Sequence, residues 1–119
     1  MPVYRDGKEV REKDRVLKKD KTDYITTLAS GQIYLSSSRD TSDFIRVVGS
    51  VFAENANGSL HIEQSMDSSN WDVRYSFDVA DGVGRSFNIN ITNQFLRVKY
   101  INKENQQSSF RLSVTLIDV

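Results

Sequence analysis

The sequence predicts an all-β protein, an antiparallel β-sandwich of jelly-roll-like type with about seven or eight strands. After residue 24, apolar and polar side chains alternate along most of the chain, which is the period of a strand with one buried face. Clusters of Asn, Asp, Ser and Gly separate these runs, as turns separate short strands. No segment after residue 24 keeps a helical period, so we expect two packed sheets and no helical layer.

The hairpin over residues 58–79 has the clearest alternation, and we expect it at the centre of the fold. The inward set of its second strand is Trp71, Val73, Tyr75, Phe77 and Val79. The inward set of its first strand is Leu60, Ile62 and Met66, which alternate with His61, Glu63 and Ser65 on the solvent face. Residues 67–70, with the sequence Asp-Ser-Ser-Asn, are turn formers that join the two strands.

Three strands are predicted before this hairpin. A weak strand covers residues 24–28, and the next covers residues 32–36, with Ile33 and Leu35 facing the core and Tyr34 facing outward. A long strand covers residues 44–54, and its inward set is Ile45, Val47, Val51 and Ala53. Gly49 within this strand indicates a bulge or the close approach of another group.

Three strands are predicted after the hairpin, over residues 86–92, 95–101 and 110–116. In the second of them, Leu96, Val98 and Tyr100 face the core. The predicted core of the sandwich is Trp71, Val73, Tyr75, Phe77, Leu96, Val98, Phe110, Leu112 and Val114.

The chain divides into a charged N-terminal arm, residues 1–23, and a sandwich domain, residues 24–119. The arm contains eight Lys or Arg and six Asp or Glu, with few large apolar side chains. Asp6-Gly7 suits the turn of a small hairpin within it. Two interpretations of the arm stay open, a solvated tail and a segment that becomes ordered on a neighbouring subunit.

Composition excludes several classes of function. The formal net charge is zero, from 16 basic and 16 acidic residues, which argues against a nucleic-acid partner because phosphate binding needs a basic excess. The chain has no Cys, so it offers neither a disulfide framework nor a thiolate metal site. No apolar segment follows Met1, which predicts cytoplasmic synthesis with neither a signal peptide nor a membrane partner.

We predict no catalytic, cofactor or metal site, and therefore a protein that is not an enzyme. His61 is the only His and is expected on the solvent face. Asp72 and Asp78 share a strand face but lie roughly 20 Å apart, which is too far for a paired acid and base. Asp67, Asn70, Asp72 and Asp81 could be imagined as calcium ligands. We prefer a turn that Asp67 and Asn70 close by hydrogen bonds from side chain to backbone.

Partner contacts are predicted for the charged arm and for two aromatic residues. Tyr34 and Phe95 lie off the predicted inward faces, so we take them as part of a subunit interface or a ligand platform. The candidate partner-binding residues are Tyr4, Arg5, Arg11, Arg15, Lys18, Lys19, Tyr34 and Phe95. Trp71 alternates with apolar residues, which favours core packing over a sugar-binding role.

Residues 58–72, with the sequence Gly-Ser-Leu-His-Ile-Glu-Gln-Ser-Met-Asp-Ser-Ser-Asn-Trp-Asp, resemble the pattern G-x-L-x-I-x-Q-S-x-D-G-x-N-W of small tailed-bacteriophage virion proteins. A related turn is found in discoidin-like sandwiches. The likeness continues through residues 95–102, and Ser68 stands where those proteins often have Gly.

The resemblance implies a structural virion protein made in the host cytoplasm. The expected function is a capsid decoration protein that binds and stabilises the capsid lattice, with the major capsid protein or tail and baseplate subunits as partners. It would form a homo-oligomer, for which a trimer is one option. The alternative is a baseplate or tail-fibre module that binds carbohydrate, and a small hydrolase is the least favoured class.

Overall fold

The computed structural model describes residues 18–119 in full and, before them, only the backbone of two short strands. These two strands are β1 (Val3–Arg5) and β2 (Lys8–Val10). They pair antiparallel, with Arg5 opposite Lys8, so the small hairpin expected around Asp6-Gly7 is present.

Residues 18–119 form two antiparallel sheets, which confirms the predicted all-β sandwich. The front sheet contains β4 (Ile33–Leu35), β5 (Arg39–Asp40), β7 (Gly58–Ser65), β8 (Val73–Val79) and β10 (Phe95–Asn102). The back sheet contains β3 (Lys19–Tyr24), β6 (Arg46–Glu54), β9 (Arg85–Asn90) and β11 (Ser109–Ile117). No helix occurs in this part of the chain, and hence none that could cross a membrane.

The connections cross between the sheets. The front sheet has the order β4-β10-β7-β8, with β5 beside β10, and the back sheet has the order β3-β11-β6-β9. From β5 onward every connection changes sheets, except the hairpin between β7 and β8. This is the strand order of a jelly roll. It makes β7, β10, β6 and β11 the interior strands and leaves β8 at an edge.

The core lies between the inner faces of the two sheets, and most of it was predicted. Leu96, Val98, Phe110, Leu112 and Val114 are all buried, as expected from their alternation. The buried set also includes the inward residues Val47, Val51 and Ala53 of β6 and Leu60 and Ile62 of β7. Interior strands are covered along their whole length, so a clean two-residue period identifies their buried face.

The second strand of the central hairpin is less buried than predicted. Trp71 precedes β8 and is only half-buried, Val73 and Phe77 are half-buried, and Tyr75 is 41% exposed. Met66 lies in the turn and is exposed. The assignment of Trp71, Tyr75 and Met66 to the core is therefore wrong. The reason is that β8 is an edge strand, whose inner face extends past the cover of the opposite sheet.

Two strands before the hairpin also differ from the prediction. In β4 the phase is reversed, because Tyr34 packs toward the core while Ile33 and Leu35 are about half exposed. Ile45 lies just before β6 and is exposed, so it is not part of the core. In a three-residue edge strand only the central side chain turns inward, and here that side chain is aromatic.

The first strand of the sandwich begins five residues earlier than expected. Lys19–Tyr24 forms β3 and pairs with β11 from Lys19 opposite Ile117 to Tyr24 opposite Leu112. The last residues of the predicted arm, 19–23, therefore lie in the back sheet, whereas residues 25–28 are not in a strand. Most of this strand is exposed, so its sequence lacks the apolar alternation that would reveal it.

Candidate functional site

The outer face of the front sheet carries a charged cluster at its centre. Glu63 of β7 lies directly opposite Arg97 of β10 on one side and Arg74 of β8 on the other. Residues directly opposite each other in a sheet project to the same side, so the three side chains meet on the outer face. We call these three residues together with Trp71 the Trp71 cluster.

Glu63 is fully buried although it lies on the outer face, because the arginines cover it. Its Oε1 accepts a hydrogen bond from Arg97 Nε at 2.6 Å, and its Oε2 accepts one from Arg74 Nε at 2.7 Å. Burial raises the pKa of this carboxyl, but the hydrogen bonds and charges of the two arginines outweigh burial and hold the pKa below its usual value. Glu63 is therefore an anion that fixes two guanidinium groups.

Trp71 completes the cluster from the loop before β8. The guanidinium carbon of Arg97 lies 4.3 Å from the centroid of the Trp71 ring, which is a cation–π contact. The indole is half-buried, and the side chain of Arg74 is 50% exposed. The cluster thus presents an aromatic surface beside a cation that solvent can reach.

His61 lies beside the cluster with both ring nitrogens occupied. Nε2 is 3.0 Å from Ser59 Oγ, and Nδ1 is 2.8 Å from Ser76 Oγ. Burial first, and then the positive charge of Arg74, lower the pKa of His61, so it is neutral at pH 7. Because both nitrogens contact hydroxyl groups, no carboxylate orients this imidazole as a catalytic triad requires.

The turn of the central hairpin is closed by Asp67, as predicted. Its Oδ1 accepts hydrogen bonds from the backbone N–H groups of Ser69 at 2.9 Å and Asn70 at 2.8 Å. Its Oδ2 accepts one from Asn70 Nδ2 at 2.8 Å. Ser68 takes the left-handed conformation at φ 64°, which is where the resembling pattern has Gly. The described residues include no cluster of His and acidic side chains suited to a metal.

The front sheet ends at an open, apolar edge. Ile33 and Leu35 of β4 are 50% and 51% exposed, and they project to the same side as their partners Ile101 and Lys99 of β10. Ser36 N donates to Val98 O, and Asn102 N donates to Gln32 O, so the even-numbered residues of this segment face β10. The backbone groups of Ile33 and Leu35 point the other way. We call Ile33, Leu35 and Ile101 the β4 edge patch.

A small cavity lies between the sheets where β3 approaches β4 and β5. Its volume is about 130 Å³, and Leu96, Val98, Leu112 and Val114 contribute to its lining. Tyr24 and Tyr34 stack there with ring centroids 4.0 Å apart. The guanidinium of Arg39 donates to Thr22 Oγ1 at 2.7 Å and pairs with Asp20, which ties β5 to β3. These contacts close the side of the sandwich.

The candidate partner-binding residues are spread over different surfaces. Tyr4 and Arg5 belong to β1, and Arg11 and Arg15 lie outside the described residues. Lys18 Nζ lies 3.5 Å from Asp43 Oδ1, and Lys19 is the first residue of β3 in the back sheet. Tyr34 faces the cavity rather than solvent, whereas Phe95 is half-buried at the start of β10. Their role in binding a partner stays a prediction.

The Trp71 cluster was missed in the sequence because its members are far apart in the chain. Glu63 was assigned to the solvent face by its alternation, which is right for its direction and wrong for its burial. An acidic residue with a basic residue opposite it on each neighbouring strand would have indicated the cluster. That signal needs the register of three strands, which the sequence does not display.

Comparison with known proteins places the chain in a family. The model of the N-terminal domain of the uncharacterised protein YqxG matches residues 11–117. The chain belongs to this family. No curated protein matches the chain.

Two solved structures share the fold of this member of the YqxG N-terminal domain family. The crystal structure of the PBSX exported protein XepA has a TM-score of 0.73 at 22% identity, covering 97% of this chain and 43% of XepA. This chain thus spans less than half the length of XepA. A chain of the Bacillus endospore appendages, a family of disulfide-linked pili, has a TM-score of 0.62 at 16% identity, with 87% and 88% of the two chains covered. Both likenesses concern the fold.

Proposed function

We propose that this chain is a non-enzymatic structural module of a phage-encoded assembly and that it works by associating with further copies of itself. The observation that carries the proposal is the β4 edge patch. Exposed aliphatic side chains and outward-pointing backbone groups occur together there, which is the arrangement that lets one sheet continue into another chain. Such an edge favours the assembled state over the monomer.

The structural neighbours support both parts of the proposal. XepA is an exported protein of PBSX, and its fold matches nearly the whole of this chain. The Bacillus endospore appendages form a family of disulfide-linked pili. These neighbours favour a location of this chain in the virion or outside the cell over a location in the cytoplasm.

The absence of enzymatic activity is part of the proposal and rests on the chemistry of the outer face. Both ring nitrogens of His61 form hydrogen bonds with serine hydroxyls, and both carboxylate oxygens of Glu63 accept hydrogen bonds from arginines. Glu63 is held as an anion between two cations, and His61 has no carboxylate that orients it, so neither is arranged as a general acid or base. They stabilise a surface instead of reacting.

A narrower version of the proposal is a capsid decoration protein whose charged N-terminal residues lie along neighbouring capsid subunits. Alternating charges such as those of residues 11–15 set register and orientation on a polar partner. A deletion that tests this version must stop before Lys18, because β3 begins at Lys19 and pairs with β11. A baseplate or tail-fibre module that binds carbohydrate is the alternative, and the half-exposed Trp71 favours it.

Self-association can be tested by placing charge in the β4 edge patch. We expect the wild-type protein to form oligomers or filaments as concentration rises, seen by sedimentation velocity and electron microscopy. The double variant Ile33→Lys/Leu35→Lys should remain monomeric, because lysine on an edge strand opposes pairing with another chain. Its thermal unfolding should match that of the wild type, since both side chains are half exposed.

The matched control is Val83→Lys, which changes an apolar residue of similar exposure, 58%, in the turn between β8 and β9. This variant should assemble as the wild type does. A wild-type protein that stays monomeric at every concentration would contradict the proposal. Equal assembly of the double variant would do the same for the role of the β4 edge patch.

A further inference from the structure

We propose that the outer face of the front sheet binds an anionic polysaccharide, with Trp71 as the platform for a sugar ring and Arg74 as the ligand for its carboxylate or phosphate. This site is centred on other residues than the β4 edge patch, although Lys99 of the same face lies opposite Leu35. The proposal does not depend on self-association. It would give the chain a binding activity toward a charged glycan surface in addition to its structural role.

The first argument is that Glu63 fixes the orientation of both arginines in the Trp71 cluster. Glu63 has no exposed surface, and each of its oxygens binds a different arginine at 2.6 to 2.7 Å. Removing the carboxylate of Glu63 and the largely buried guanidinium of Arg97 from water is costly, and the attraction between them often does no more than offset that cost. What such an arrangement does provide is fixed orientation, which a binding site needs.

The second argument concerns the groups that remain available after Glu63 is satisfied. Arg97 lies against the indole of Trp71 and is three-quarters buried, whereas the side chain of Arg74 is 50% exposed. Arg74 uses Nε and Nη2 on Glu63, so Nη1 has no partner among residues 18–119 and can donate to an anion. A guanidinium fork is well matched to carboxylate and phosphate groups.

The third argument is the charge of the surrounding surface. Two register rows cross this face, Arg97-Glu63-Arg74 and Lys99-His61-Ser76. With His61 neutral, these rows hold three cations and one carboxylate, and the exposed Asp72, two residues before Arg74, reduces the surplus to one positive charge. Asp78 of the next row is within 3.9 Å of Lys103, so it is already partnered. An anionic ligand is therefore complementary to this face.

A polysaccharide suits the shape and polarity of the site better than an acidic peptide. The indole offers a flat surface of the kind on which sugar rings stack, and the exposed side chains of Ser76 and Asn70 lie on the adjoining strand and turn. An acidic peptide would gain little from these directional polar groups. Extended glycan chains do not require a deep pocket.

The experiment uses Trp71 as its own probe, because it is the only tryptophan in the chain. Titration with polygalacturonate should change the intensity or wavelength of tryptophan emission and saturate. Dextran, a neutral polysaccharide, and polyglutamate, an anionic peptide, should change it at least tenfold more weakly. Arg74→Gln should weaken binding of polygalacturonate by about tenfold or more.

Arg111→Gln is the matched control, because Arg111 lies 4.4 Å above the ring of Phe52 on the back sheet without a buried carboxylate between them. This variant should bind polygalacturonate as the wild type does. For Trp71→Ala, affinity electrophoresis in a polygalacturonate gel replaces fluorescence, and retardation should be lost while the protein still melts cooperatively.

Three results would overturn the proposal. The first is an emission spectrum that polygalacturonate leaves unchanged. The second is equal binding of polyglutamate or dextran, which would show that charge alone or the sugar alone is recognised. The third is an equal loss of affinity in Arg111→Gln, which would place the contact on the other sheet.

Discussion

At the scale of single residues, glycine is where the sequence was most informative. Gly49 was predicted to mark a bulge or a close approach, and the close approach is confirmed. A Cβ built there would lie 1.9 Å from Ser113 O and 2.7 Å from Phe87 Cζ. Gly58, the first residue of β7, meets a steric need, because a Cβ there would lie 2.4 Å from the hydroxyl of Tyr100. The left-handed residue shortly before β7 is Asn55, at φ 70°.

Gly49→Ala should destabilise the protein by about 3 kcal/mol, because the backbone of β11 must move away to admit the methyl group. Gly84→Ala is the control, since nothing lies within 4 Å of a Cβ at that position. It should be neutral or slightly stabilising. Urea denaturation of both variants measures the difference. Equal stability of the two would show that the strands at Gly49 are farther apart than described.

Other residues could not be assigned from the sequence. Gln64 and Asn102 are polar and buried, and they hold loops instead of facing solvent. The side-chain oxygen of Gln64 accepts hydrogen bonds from the backbone of Thr92 and Asn93, and Asn102 Nδ2 donates to Leu28 O and Ala29 O. Alternation predicts the direction of a side chain, but not a partner that lies 28 or more positions away.

At the scale of elements, interior strands were predicted well and edge strands poorly. The buried faces of β6, β10 and β11 follow their alternation. These strands have a neighbour on each side, so the opposite sheet covers their inner face along the whole length. Three of the four edge strands were harder to predict. The start of β3, the phase of β4 and the burial of β8 depend on what the opposite sheet covers, which is a property of the assembled sandwich.

The turn over residues 67–70 should contribute to the loss of stability in acid. Hydrogen bonds from the backbone N–H groups of Asn70 and Ser69 hold the pKa of Asp67 well below its usual range. Because the folded pKa is depressed, the unfolded chain binds a proton first as pH falls. The stabilisation is therefore present above about pH 4 and declines as pH falls further.

Asp67→Asn should flatten the fall in melting temperature between about pH 4 and pH 2, because Asn does not titrate. Asp72→Asn, an exposed neighbour outside the turn, serves as the control and should keep the wild-type slope. A chelator should leave the melting temperature of the wild type unchanged at pH 7, since the turn is closed by hydrogen bonds. A wild-type slope in Asp67→Asn would contradict this account of the turn.

At the scale of the whole molecule, the sandwich has three distinct regions. The space between the sheets is filled by the core, the outer face of the front sheet carries the Trp71 cluster, and the β4 edge patch ends that sheet. The fold class could be predicted because it depends on alternation and turns. The two surface sites could not, because each combines residues from strands that meet only through the crossing connections.

The central claim is that the β4 edge pairs with another copy of the chain. Amide hydrogen exchange by NMR tests it directly, because the N–H groups of Ile33 and Leu35 point away from β10 while that of Tyr34 faces it. At low concentration, Ile33 and Leu35 should exchange fast and Tyr34 slowly. In the assembled protein, Ile33 and Leu35 should become protected and Tyr34 should stay protected. Fast exchange of Ile33 and Leu35 in both states would contradict the claim.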